Sequence, residues 1–287
     1  MQAPSEATWD RGRAALVTEV GRVAALLRSL ERPVQPAVGS WNAAEVAVHL
    51  SQAFVAVPGL ARGDLSEVFE LLPGARRPSG ALLGDLWDLA GTTVAAVRSE
   101  EERRPEVLAD RLEQRCAAFL REMGGRAPDE PRGWMVEGVT VPLATLTFHL
   151  LSETVVHGWD IARADGRPWA IDPSSAAMAA DHFFLPLIGR LGRSVVDQEA
   201  GAGVRACFDL RVRGGERHHL VFDDGDLAVE APSDRAVDCH LSADPAALVL
   251  VTFGRVNQWR AIARGQLVAW GRRPWLAPRL RSLLRNP

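Results

Sequence analysis

The segment P-L-A-T-L-T-F-H-L-L-S-E-T-V-V-H-G-W-D-I-A-R-A, Pro142–Ala164, reads as one strong helix. Thr140 offers a cap, and Pro142 takes the first helical position, where a missing N–H costs nothing. The helix carries His149, Glu153 and His157 at four-residue spacing, so all three project from one face, drifting ~40° per step at 3.6 residues per turn. His149 and His157 are two turns apart, ~12 Å along the axis, too far for both to ligate one ion at ~2.0–2.2 Å. An ion on this face takes Glu153 with one of the two histidines.

The chain before this helix also reads as helical. From about Thr8 to Leu30, Leu16, Val20, Val23, Ala24 and Leu27 recur at three and four residues as one stripe, ended by Pro33 and Pro36. Asn42 with Glu45 three residues on predicts a capping box, opening a helix with Val46, His49, Leu50 and Ala53 on one face. A Gly/Pro/Arg-rich loop is expected from Pro58 to Gly80, then helices over Ala81–Ser99 and from Pro105 to about Met123. Together they predict a bundle of four or five helices.

Beyond Asp165, Gly166 and Pro168, Asp172-Pro173 starts a further helix to about Arg193, expected to bridge two domains. From Val204 the period changes to two: Cys207, Asp209, Arg211 and Arg213 alternate with Phe208, Leu210 and Val212. A hairpin turn at Asp223–Asp226, strands at Val237–Ser242 and Gln266–Trp270, and helices at Pro245–Phe253 and Trp275–Leu284 predict a small antiparallel sheet with helices.

Composition narrows the function classes. At 287 residues two domains are expected, since single cores stop growing near ~250 residues. A net charge of -3 gives no reason to expect nucleic acid. The longest apolar runs fall short of the ~20 residues a bilayer span needs, and no basic-then-apolar leader opens the chain, so a cytoplasmic protein with no membrane partner is expected. Cys116, Cys207 and Cys239 match neither a disulfide framework nor a zinc ribbon. All 33 basic residues are arginine, which excludes a Schiff-base lysine. The arginines near the C-terminus suit anionic ligands or a solvated helix face.

A catalytic zinc-type site wants three protein ligands and one open position, and His49, polar on an apolar helix face, is the available third. The motif S-W-N-A-A-E-V-A-V-H-L, Ser40–Leu50, with E-T-V-V-H-G-W-D, Glu153–Asp160, resembles the mycothiol-dependent maleylpyruvate isomerase family of DinB-like metalloenzymes. Trp41, His49, Glu153, His157 and Asp160 fill the family's places. The resemblance implies a fold of α plus α+β class: an N-terminal four-helix, DinB-like bundle over residues 1–168, and a small sterol-carrier-like α+β domain over 169–287. It implies a divalent metal on His49, Glu153 and His157. Zinc is the expected ion, and nickel or iron also suit two histidines and a carboxylate. It further implies mycothiol as thiol cosubstrate and Arg255 after Gly254 as a catalytic and cofactor-binding arginine. His149, one turn from Glu153, is a candidate acid/base or Glu153-orienting group by position, with a purely structural role as the alternative.

The family commonly has an arginine a few residues before the metal glutamate, where this chain has His149, Leu150, Leu151 and Ser152. That difference touches the substrate, so two enzymatic readings follow: a maleylpyruvate-type cis-trans isomerase, or an S-transferase placing a low-molecular-weight thiol on a small electrophile. A non-enzymatic small-molecule or lipid-binding protein is the third reading. A monomer or homodimer is expected.

Overall fold

The computed structural model describes residues 3–71 and 88–285, excepting the side chains of 88–90. The end of the expected Pro58–Gly80 loop and the start of the expected Ala81–Ser99 helix lie outside these residues. Backbone contacts of the described residues gather into two units that divide between Ile171 and Asp172.

In the first unit, α1 (Glu6–Arg28) is capped by Ser5, whose hydroxyl accepts from the Thr8 N–H. The strands β1 (Pro36–Val38) and β2 (Trp41–Asn42) form a short hairpin leading into α2 (Ala43–Arg62). Both halves of the Asn42–Glu45 capping box are present. This helix overruns the expected loop start at Pro58. The proline deletes one helical N–H at a cost of ~3 kcal/mol, but Val57, Pro58, Gly59, Leu60 and Ala61 are all buried, and their burial outweighs it. Next come α3 (Ser66–Leu71), α4 (Asp88–Ser99) and α5 (Pro105–Glu122). A second hairpin, β3 (Pro131–Gly133) with β4 (Thr140–Pro142), leads into α6 (Leu143–Ala164).

Thr140 does not cap α6, because it is paired in the strand with Gly133. The orphan N–H groups of Leu143 and Ala144 instead donate to the carbonyls of Glu130 and Pro128. The start of α2 uses the same device, Ala43 donating to Gln35 and Ala44 to Pro33. Both site helices are thus anchored by backbone from the segment before them. The long helices α1, α2, α5 and α6 each pack on two of the others. Two glycines permit the close α1–α6 approach: a Cβ on Gly12 would run into the Phe148 ring, and one on Gly158 would sit 2.8 Å from Val23 Cγ2. The indole of Trp9 donates to Thr147 Oγ1 at 2.8 Å inside the same contact.

The second unit opens with α7 (Pro173–Ala179), a π-helical turn at Ala180–Phe184, and α8 (Leu185–Leu191). Asp181, in the π turn, accepts from the Glu216 N–H and lies 2.9 Å from His218 Nε2, fastening this helix to the sheet. The strands are β5 (Arg205–Val212), β6 (Arg217–Asp223), β7 (Asp226–Glu230), β8 (Cys239–Ala243) and β9 (Leu267–Trp270), in the order β7-β6-β5-β8-β9. The sheet is mixed rather than antiparallel throughout: the chain crosses over after β7, and β8 lies parallel to β5. Asp209 is buried, against the polar-out alternation expected, because Arg217 grips it with two bonds and His240 with a third. Between β8 and β9 run α9 (Pro245–Thr252) and α10 (Gln258–Ala263), the second not anticipated from sequence; α11 (Leu280–Leu283) follows a 3-10 turn at Pro274–Arg279.

Candidate metal centre

His49 comes from the second turn of α2, and Glu153 and His157 from adjacent turns of α6, the two helices being packed together. Nε2 of His49 and Nε2 of His157 each lie 3.2 Å from the same oxygen, Glu153 Oε2. The three ligand atoms fall within 4.8 Å of one another. Donors ~2.1 Å from a tetrahedral ion are separated by ~3.4 Å, so two nitrogens and a carboxylate at these separations fit a divalent metal with modest adjustment.

Asp160, fully buried one turn on, accepts from Nδ1 of His157 at 3.0 Å. That bond fixes the ring and leaves Nε2 directed at Glu153, the carboxylate–histidine arrangement that orients metal ligands. His149 Nε2 stands 3.5 Å from the other oxygen, Oε1, so the two nitrogens gathered on Oε2 are those of His49 and His157. Two tryptophans border the cluster, Trp41 with its ring 5.2 Å from His49 and Trp134 6.0 Å from His149.

Burial pushes the Glu153 carboxyl up, but hydrogen bonds from His149, His157 and His49 outweigh it and hold it well below the usual carboxylate range. Burial likewise opposes charge on His157, yet Asp160 and Glu153 on its two sides raise it to about 9. For His49 burial wins, and its imidazole is held neutral. Without an ion Glu153 is therefore a carboxylate paired with the His157 imidazolium.

Arg255 belongs to the second unit. It ends α9 in a Schellman turn, its N–H donating to the Leu250 carbonyl and that of Gly254 to Val251, with Gly254 at φ 71°. The guanidinium Nη1 donates to the Phe253 carbonyl at 2.7 Å, a helix-end contact. What sequence reasoning missed was the hairpin before each site helix; the glycine turns at Gly39 and Gly138, both at positive φ, were the available signal.

Residues 13–162 match the mycothiol maleylpyruvate isomerase N-terminal domain family. The chain belongs to that family. Residues 188–272 match the SCP-2 sterol transfer family, which gives this member its sterol-carrier-like second domain. Among solved structures, a mycothiol-dependent maleylpyruvate isomerase carrying a histidine-to-alanine substitution superposes with a TM-score of 0.52 at 14% identity, covering 91% of this chain and 92% of the other. The unsubstituted isomerase gives 0.50 at 15%, covering 86% and 90%. At such identities the likeness is one of fold. No curated protein sequence matches the chain.

Proposed function

We propose that the protein is a metal- and mycothiol-dependent enzyme of the maleylpyruvate isomerase type, acting on a small electrophilic, carboxylate-bearing substrate. The observation that carries this reading is the convergence of His49 and His157, from different helices, on one oxygen of Glu153. A divalent ion held there supplies the charge that keeps a coordinated thiol deprotonated at neutral pH, so no protein cysteine is needed. The three cysteines are buried, and burial pushes the Cys116 thiol up to about 12.

In this reading the four long helices are the DinB-like bundle and hold the ligands. Asp160 keeps the His157 ring in the tautomer that presents Nε2, and His149 steadies the second oxygen of Glu153. Arg255 is assigned the substrate carboxylate, on the resemblance alone. Either outcome of the thiol chemistry fits: an isomerase returns its thiol every turnover, whereas an S-transferase consumes one per product. The absence of the family's arginine before Glu153 favours testing the transferase as well.

Elemental mass spectrometry on purified wild type beside His49→Ala tests the centre. Near one metal per wild-type chain and none in the variant is expected; a wild type that holds no metal and takes up none when zinc is added would overturn the reading. With mycothiol and maleylpyruvate, thiol titration then separates the two reactions, and Arg255→Ala is expected to raise KM for the carboxylate substrate.

A further inference from the structure

Of the large apolar side chains exposed among the described residues, all but Val17 and Val34 fall between Trp259 and Trp275: Trp259 at 58%, Ile262 at 37%, Val268 at 44%, Trp270 at 49% and Trp275 at 63%. The same part of the chain is one-signed. From Pro245 to the C-terminus there are eight arginines and no acidic residue, in a protein whose net charge is -3. Arg260, Arg264, Arg272, Arg273 and Arg279 are exposed.

These residues share one region of the second unit. β9, with Val268 and Trp270 on one face, is the free edge of the sheet, paired only with β8. α10 precedes it and the 3-10 turn carrying Trp275 follows it, both packing on β9, and Gln258 Nε2 donates to the Pro278 carbonyl at 3.2 Å to tie the two together. Three elements thus present tryptophan and arginine side by side. An exposed, uncharged edge strand invites pairing with a second copy, but Arg260, Arg264 and Arg279 keep this surface net positive even with Arg272 and Arg273 paired to Asp238, so doubling it is opposed and the charge selects an anionic partner. Indole rings favour the interface between water and hydrocarbon, and arginines near it gain from anionic lipid headgroups.

We propose that the α10–β9–Trp275 surface docks the protein peripherally on anionic lipid bilayers, the tryptophans entering the headgroup layer and the arginines pairing with lipid phosphates. No spanning helix is involved: Ala43–Arg62, the one described helix long and apolar enough to cross a membrane, is 78% buried over its most apolar window. The proposal is independent of the metal centre.

Flotation of the full chain with phosphatidylglycerol vesicles, phosphatidylcholine vesicles serving as control, tests it. Binding to the anionic vesicles at low salt is expected, with release near ~1 M salt, where screening shortens to ~3 Å. Arg260→Gln with Arg264→Gln should weaken binding about 25-fold, at about fivefold per charge. Trp259→Ala with Trp270→Ala and Trp275→Ala, all at exposed positions, should abolish fluorescence quenching by brominated lipid. Metal removal should change neither. No binding to anionic vesicles at low salt, equal binding to phosphatidylcholine, or variants that bind as wild type would overturn the proposal. So would a dimer that only the tryptophan variant dissociates in a protein that ignores vesicles.

Discussion

At the scale of single residues, the centre depends on one proton. In the ion-free protein His157 carries it between Asp160 and Glu153 up to about pH 9. Because this pKa lies above the ordinary histidine value near ~6.5, the proton stabilises the ion-free fold fully below that value, and the contribution is lost as pH rises through about 9. A metal needs Nε2 free, so binding at neutral pH must expel that proton. His49 is already neutral and Glu153 already ionised, so neither adds to the count. Calorimetric titration with zinc in buffers of different ionisation enthalpy should therefore show about one proton released per ion at pH 7, and apparent affinity should rise about tenfold per pH unit until about pH 9. A pH-independent affinity would refute this assignment of the proton. Asp160 acts through His157, so Asp160→Asn should cost ~10–100-fold in metal affinity while circular dichroism and chain packing stay as they are. Spacing alone leaves His149 and His157 open beside Glu153, and it is the resemblance carried by Ser40–Leu50 and Glu153–Asp160 that points to His49 and His157. How α2 meets α6 is a tertiary fact that no local pattern encodes.

At the scale of elements, what positions the site is how its two helices begin and what they pack against. The Asn42–Glu45 box was readable because it is local, four consecutive residues satisfying each other's backbone. The hairpin anchors were not, since the donors at Leu143 and Ala144 reach carbonyls more than ten residues back, and Thr140, a good cap by residue type, is spent on β4. Asn42→Ala should cost ~1 kcal/mol in denaturant unfolding. Gly158→Ala should cost more, ~1–3 kcal/mol, since its new methyl meets Val23 Cγ2 at 2.8 Å and pushes apart the helices that hold His157. Gly21→Ala, in α1 with nothing within 4 Å of the added methyl, should stabilise by ~0.5–1 kcal/mol. If Gly158→Ala and Gly21→Ala shift stability equally, close packing of α1 on α6 is not what sets α6. The period-two segment after Val204 gave the strands but not their order, because β8 pairs with β5 across an excursion that periodicity does not see.

At the scale of the whole molecule, the proposed ligands all lie in the first unit, His49 on α2 and Glu153 and His157 on α6. A ligand that binds only the folded state stabilises it by RT ln(1 + [L]/Kd), ~4 kcal/mol at a thousandfold excess over Kd. That energy appears only in openings that break the centre. Amide exchange with zinc, compared with exchange after chelation, should show protection rising in peptides spanning residues 43–62 and 143–164, the helices that an opening must separate. Peptides from the sheet, over 205–230, should exchange as before, since their burial rests on the sheet's own packing and on the Asp181 bonds to Glu216 and His218. Glu153→Gln removes the charge both histidines point to and should erase the zinc-dependent difference in both helices. Zinc protection that persists in that variant, or that spreads evenly over the sheet, would place the ion somewhere other than between α2 and α6.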